Sequence, residues 1–300
     1  MFVTKIHGTE KVFAFVAVKP YFASMSLVVP LEDELGDVLE KALRLRSLSE
    51  EQLAGESGVS VRKIKDAFDY RYDFLPDEIM KLAKTLSLNE VGLSALAEER
   101  YPLPRLPAFP FVFRPFSLSL GSGGVNAYFV HERGCKEGLL FDTGYQAKEI
   151  GDCLVRDGLT PKAIFLTHAD SDHIGGLKGL RQTFPEVKVF GPGKDFDGIS
   201  LQEGEEIDCY TPFRIRVFDT CGHAERHFSY LLEGGGGREI CIIGDLLFAG
   251  SLGGAFHCRH KLWDNFDRML RVLSPKTILA PGHGPLSSVE NERKFNPFAV

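Results

Sequence analysis

The stretch Thr167-His168-Ala169-Asp170-Ser171-Asp172-His173-Ile174-Gly175-Gly176 constrains this chain more than any other. Four groups able to bind a metal fall within six positions: His168, Asp170, Asp172 and His173. The run before them, Ala163-Ile164-Phe165-Leu166, reads as a short buried strand. Gly175-Gly176 frees the backbone after them, and Leu177 to Phe184 has helical spacing. The cluster is therefore expected on a tight loop at a strand's carboxyl end, where α/β sheets place their ligands. A regular strand would send the adjacent Asp172 and His173 to opposite faces. Four ligands on one loop point to two metals rather than one. His and Asp beside a strand end also serve as plain turn residues. The metal reading therefore requires further ligands elsewhere in the chain.

Three later segments supply them. Gly222-His223 follows an apolar run ending near Phe218, Gly244-Asp245 follows Ile242-Ile243, and Gly282-His283 follows Ile278-Leu279. Earlier, Asp142-Thr143-Gly144 closes a run ending at Phe141. Each places an ionisable group just past an expected strand end, beside a glycine that permits a sharp turn or a close approach. Singly, each reads as a turn residue. Together with the cluster they give a consistent ligand set on separate strand ends.

These motifs, in this order, resemble the metallo-β-lactamase superfamily from about residue 112 to 290. Its loop motif, usually His-x-His-x-Asp-His, stands here as His168-x-Asp170-x-Asp172-His173. Gly244-Asp245-Leu246-Leu247-Phe248-Ala249-Gly250-Ser251 and Pro281-Gly282-His283-Gly284-Pro285 are similar to the glyoxalase II branch, which hydrolyses thioesters. The resemblance implies an α/β fold, a four-layer αββα sandwich with the site at one sheet edge. It implies that His168, Asp170 and His223 hold one divalent metal, that Asp172, His173 and His283 hold a second, and that Asp245 bridges. Mixed imidazole and carboxylate donors suit zinc, iron or manganese. Asp170 in place of a histidine adds a hard oxygen donor, which favours iron and manganese relative to a histidine-rich zinc site. Two such ions share a hydroxide that attacks the substrate, and Asp172 is the catalytic residue expected to orient it. The implied reaction is hydrolysis of a thioester, ester or lactone, with a phosphodiester as runner-up. Two departures bear on the substrate. Gly253-Gly254-Ala255 replaces the usual Gly-Arg-Thr/Ala-Asp segment, and the sequence to Val300 leaves no room for the glutathione-binding carboxyl-terminal helical domain of glyoxalase II. His227, four residues beyond His223, reads first as a packing or surface histidine and second as a residue supporting the ligands or the substrate, and Tyr230 as core.

The amino-terminal third has a different character. Residues 1–30 form a segment of unclear role, 31–100 a helical domain, 101–111 a Pro-rich linker and 112–300 the α/β domain. Within the helical domain, Ser49 is expected to cap a helix with Gln52 three residues later, Gly58 to turn, Ser60 to cap the next helix, and Pro76 to open another. Gln52-Leu53-Ala54, Ser57-Gly58-Val59-Ser60, Ile64 and Leu82-Ala83 resemble a small all-α helix-turn-helix domain of Cro and phage-repressor type. The resemblance implies that Arg62, Lys63 and Lys65 face DNA. Residues 38–100, however, carry ten Lys and Arg against twelve Asp and Glu, whereas DNA readers are usually basic. DNA binding and a docking or dimerisation role therefore both stay open. The alternative overall function is a DNA-binding regulator whose metal domain senses a small molecule.

Composition excludes little else. Of 300 residues, 44% are hydrophobic and 25% charged, as in ordinary globular proteins. Six scattered cysteines without a Cys-x-x-Cys pair argue against a disulfide framework or a zinc ribbon and suit a cytoplasmic location. No apolar run approaches a membrane span. Val12 to Val18 resembles a signal core only until Lys19-Pro20 interrupts it. The expected partner is a small-molecule substrate, with no membrane, and a homodimer left open.

Overall fold

The computed structural model describes residues 5–6, 9–10, 29–120, 123–193, 198–210, 212–234 and 237–300. The apolar run 12–18 lies outside the described residues. Two short strands, β1 (Lys5–Ile6) and β2 (Thr9–Glu10), pair with each other.

Five helices follow: α1 (Leu35–Arg46), α2 (Glu50–Ser57), α3 (Val61–Phe68), α4 (Pro76–Leu86) and α5 (Glu90–Ala97). The expected signals act as written at three of four positions, with Pro76 opening α4. Ser49 and Gln52 form a reciprocal capping box at α2, and Gly58 ends it in the left-handed conformation with φ 70°. Ser60 precedes α3 but its side chain makes no capping bond. Leu39, Leu53, Ile64, Leu82 and Leu93 bury one stripe of each helix into a common core.

The remainder alternates strands and helices. Strands β3 (Val112–Leu120), β4 (Gly123–His131), β5 (Glu137–Phe141), β6 (Thr160–Phe165), β7 (Lys188–Gly191) and β8 (Ile199–Ser200) form one sheet in that order. Strands β9 (Glu206–Tyr210), β10 (Phe213–Asp219), β11 (Phe228–Gly234), β12 (Arg238–Gly244), β15 (Ile278–Pro281) and β16 (Ser287–Ser288) form the second, also adjacent in that order. A hairpin of β13 (Leu247–Phe248) and β14 (Ser251–Leu252) stands apart.

Period-two alternation builds the layers. Ile240 and Ile242 of β12 face the other sheet, clustering with Ile215 and Tyr230 of their own sheet and with Phe141 and Phe165 of the other. Cys241 and Ile243 face outward against Leu262, Phe266 and Met269 of α9 (Arg259–Val272). The first sheet is covered likewise by α6 (Ala147–Arg156) and α8 (Leu177–Thr183), through Ile150, Leu154 and Leu180. The result is the expected αββα order of layers.

The five-helix unit shares its hydrophobic cluster with Leu246, Leu252, Val289 and Phe298 of the sandwich. Its packing on α10 (Val289–Phe295) is tight enough that a side chain on Gly92 would stand 2.1 Å from the Phe295 carbonyl. Asn89 donates from its side chain to the carbonyls of Lys294 and Ala299, both at 3.1 Å. No described helix is long and apolar enough to cross a membrane.

Candidate metal centre

Strands β5, β6, β12 and β15 end at the same edge, and each delivers a loop with a site residue. After β6 the chain is not a plain loop, as the sequence suggested. Ser171–Ile174 forms a single helical turn, α7, with Asp170 at its N-cap. A helical turn rotates neighbours by about 100° rather than 180°. Asp172 and His173 can therefore both address the same centre.

Asp142 is the internal brace. It sits in the left-handed region with φ 55° and is buried. Its Oδ1 accepts from the Thr167 amide at 2.8 Å, and its Oδ2 accepts from the Thr167 hydroxyl at 2.8 Å and from His173 Nδ1 at 2.9 Å. Because the Thr167 hydroxyl donates to Asp142, it accepts from His168 Nδ1 at 2.9 Å. His223 Nδ1 donates to the Gly254 carbonyl at 2.8 Å, and His283 Nδ1 to that of Gly124 at 2.9 Å. All four imidazoles thus spend the Nδ1 proton on the protein and turn Nε2 inward.

Those atoms converge with three carboxylates. Asp170 Oδ2 lies 3.6 Å from His168 Nε2 and 3.3 Å from His223 Nε2. Asp172 Oδ2 lies 3.8 Å from His173 Nε2 and 3.3 Å from His283 Nε2. Asp245 stands between, with Oδ1 3.4 Å from His173 and Oδ2 3.6 Å from His223 and 3.4 Å from His283. Two compact groups result, His168-His223-Asp245 and Asp172-His173-His283, with donor atoms in each mutually within 4.8 Å. Gly282 makes this approach feasible: a Cβ there would stand 2.0 Å from Asp245 Oδ1 and 2.6 Å from His173 Cε1.

The residues fit a pair of divalent ions. His168 Nε2, His173 Nε2 and Asp245 Oδ1 are buried without a hydrogen-bond partner. Leaving each so costs about 1–3 kcal/mol, and a cation is the partner that four inward-facing imidazole nitrogens and three carboxylates could share. The His168 and His223 rings beside it hold the Asp170 carboxyl well below the usual carboxylate range. Burial would raise Asp245, but His173 and His283 more than offset it and keep it ionised. Burial also works against a proton on His283, yet Asp172 and Asp245 raise its pKa to about 10.

Family comparison now adds its weight. A family model described as the metallo-beta-lactamase superfamily matches residues 120–289. The chain belongs to this superfamily. Within it, the chain is 28% identical over 206 residues to the probable metallo-hydrolase YqgX of Bacillus subtilis (strain 168), covering 60% of this chain and 95% of that one. It is 31% identical over 128 residues to a hydroxyacylglutathione hydrolase of Prochlorococcus marinus (strain MIT 9312), covering 41% of this chain and 50% of that one. The chain therefore spans about half the length of that relative. Among solved structures, the BLEG-1 B3 metallo-beta-lactamase matches with TM-score 0.54 and 28% identity over 63% of this chain and all of that one. TTHA1623, solved in a di-iron-bound form, matches with TM-score 0.50 and 27% identity over 61% of this chain and 99% of that one. The protein is a metal-binding hydrolase of this superfamily.

Several supporting residues carried no sequence signal. Tyr128 donates its hydroxyl to the Pro281 carbonyl at 2.5 Å, and Asn126 Nδ2 donates to the Gly284 carbonyl at 2.8 Å, so β4 braces the His283 loop from 150 or more positions away. Tyr230 is core as expected, and it also donates to the Leu166 carbonyl at 2.5 Å, beside the ligand loop. His227 is a packing residue, wholly buried. It accepts from the Asp245 amide at 3.0 Å through Nε2, while its Nδ1 meets Thr220 Oγ1 at 2.8 Å. Both nitrogens are consumed, so it is not free to bind a metal. His257, Cys258 and His260 lie on the loop and first turn leading into α9 and belong to neither ligand group.

Proposed function

We propose that this chain is a binuclear metal-dependent hydrolase that cleaves a thioester, carboxylic ester or lactone. His168, Asp170 and His223 would hold the first ion and Asp172, His173 and His283 the second, with Asp245 standing between the two groups. The observation that carries this reading is the set of inward, unpartnered atoms on His168, His173 and Asp245. Two divalent ions supply Lewis acidity toward the carbonyl oxygen and acidify water near neutral pH.

The chain's own residues do the rest. Asp142 and Thr167 fix the His173 and His168 tautomers, so that lone pairs rather than protons meet the ions. Asp172, half-buried at the rim, orients the attacking water through Oδ2. Phe256, 78% exposed, packs its edge on the His223 ring at a centroid distance of 5.2 Å. It offers an apolar shelf for an acyl group beside the first ion's ligands. The similarity to hydroxyacylglutathione hydrolases supports a thioester within this class.

The five-helix unit is read as a docked wall of the enzyme rather than a DNA reader. Lys63 is 2.8 Å from Glu78, Lys65 2.8 Å from Glu51 and Arg62 3.6 Å from Asp66. The basic residues of α3 thus have acidic partners on their own unit. The test is turnover of a thioester, ester, lactone and phosphodiester panel by metal-loaded protein. Hydrolysis of a carbonyl substrate, abolished in His168→Ala, is expected; a panel with no such turnover overturns the proposal.

A further inference from the structure

The residues just before α1 reach the metal centre from outside the sandwich. Asp33 accepts from the Ser251 hydroxyl and from Lys41 Nζ. Lys41 also donates to the Leu252 carbonyl at 2.7 Å and sits 5.1 Å above the Phe248 ring. The Phe248 ring in turn meets the His283 ring edge-on at 5.5 Å. This clasp fixes the neighbouring Glu32. Its backbone nitrogen lies 3.1 Å from where a Cβ on Gly284 would stand, and Gly284 has φ +72°. Glu32 Oε1 is then 3.8 Å from His283 Nδ1.

At that distance no hydrogen bond forms, and the Nδ1 proton is already given to Gly124. Asp33 engages the Lys41 ammonium, and once His283 gives Nε2 to a metal its ring is neutral and offers Glu32 no charge to pair with. The Glu32 side chain keeps 29% of its surface open beside the second ligand group. One carboxylate charge is therefore left over at the rim beside His283, whereas the Phe256 ring lies against His223.

We propose that Glu32 is a specificity-determining residue that makes this site favour substrates with a cationic group, such as an ammonium, on the side of His283, and disfavour anionic ones. The proposal rests on the hydrolase reading, because it assigns the leaving-group side of that site. A carboxylate at the rim attracts an ammonium and repels a carboxylate through the same charge, so the effect reads out as a difference between matched ligands. It also gives the helical unit a part in catalysis without a partner of its own: the unit carries the selecting charge.

Three small thiols that differ in charge test this: cysteamine, mercaptoethanol and mercaptoacetate. Their dissociation constants for metal-loaded protein are measured by calorimetry, with mercaptoethanol as the neutral reference. In Glu32→Gln, the cysteamine-to-mercaptoacetate affinity ratio should fall by about tenfold, the scale of one unit charge near a protein surface, and in Glu32→Lys it should fall further. An unchanged ratio overturns the proposal. So does an equal loss for all three thiols, which marks Glu32 as a brace for His283 alone. Hydrolysis of the matching S-acetyl compounds is followed alongside. Absence of hydrolysis with the expected shift in ratio refutes the hydrolase reading and leaves the charge selection standing.

Discussion

Asp142→Asn isolates the part of the site that sets proton positions. The asparagine side chain has the same shape and tolerates the left-handed backbone at this position. Its carbonyl can still accept from the Thr167 amide, as Oδ1 does now at 2.8 Å. Its amide group then replaces Oδ2, which accepts from Thr167 Oγ1 at 2.8 Å and from His173 Nδ1 at 2.9 Å. Donors would face donors. His173 relieves this by carrying its proton on Nε2, the atom that now faces Asp245 at 3.4 Å. A protonated Nε2 cannot bind a metal. Loss of a partner that orients a ligating histidine lowers metal affinity about 10–100-fold, or ~1.4–2.8 kcal/mol. The fold should lose about 1–3 kcal/mol for the weakened buried bonds, too little to unfold a sandwich with three packed layers of core. Dialysis against graded chelator, followed by elemental analysis and a thermal melt, separates the two effects. The variant should release one metal at a chelator concentration the parent withstands, while its melt stays cooperative. Retention of both metals at the parent's chelator concentrations would refute the argument that Asp142 sets the His173 tautomer.

Other perturbations follow from the same geometry. Gly282→Ala forces a methyl within 2.0 Å of Asp245 Oδ1, so it should abolish binding of at least one metal; full metal content by elemental analysis contradicts this. Phe256→Ala removes the exposed ring on His223 and should raise KM for substrates with long apolar acyl groups by about tenfold while leaving acetyl substrates nearly unchanged. Steady-state kinetics on a chain-length series reads this, and a uniform change along the series counts against the shelf. Metal uptake at pH 8 should release protons, because Asp172 and Asp245 overcome burial and raise the His283 pKa to about 10 in the metal-free protein, so a proton must leave before Nε2 can ligate. Calorimetry in buffers of different ionisation enthalpy measures the number, and zero protons released contradicts the assigned charge state.

The convergence of these side chains was legible because His223, Asp245 and His283 each stand beside a glycine soon after an apolar run, and the other four crowd one loop after another such run. That pattern survives in one dimension: strand, turn, ionisable group. The layers were legible for a similar reason, since runs such as Glu239 to Ile243 alternate between two buried faces. The single turn of helix at Ser171–Ile174 escaped because four residues are too few to show a period. The edge strand β3 escaped because Pro115 interrupts its pattern. The braces on the site were invisible for a different reason. Tyr128 and Pro281, or Asp33 and Ser251, meet only after the whole sandwich has closed. The preference between the two open readings of the helical unit rests on tertiary facts too: the pairing of Lys63 with Glu78 and the clasp around Asp33 depend on which faces come together.

Metal stoichiometry of the parent and of Asp170→Ala, prepared side by side, tests the central claim most directly. Asp170 is the proposed ligand that departs from the superfamily's usual histidine, and its Oδ2 lies within 3.6 Å of both His168 and His223. Elemental analysis after loading with zinc, iron or manganese should find two metals per parent chain and one per Asp170→Ala chain, with an unchanged melting profile before loading. A parent that holds fewer than two metals with every ion, or a variant that keeps both, contradicts the binuclear account.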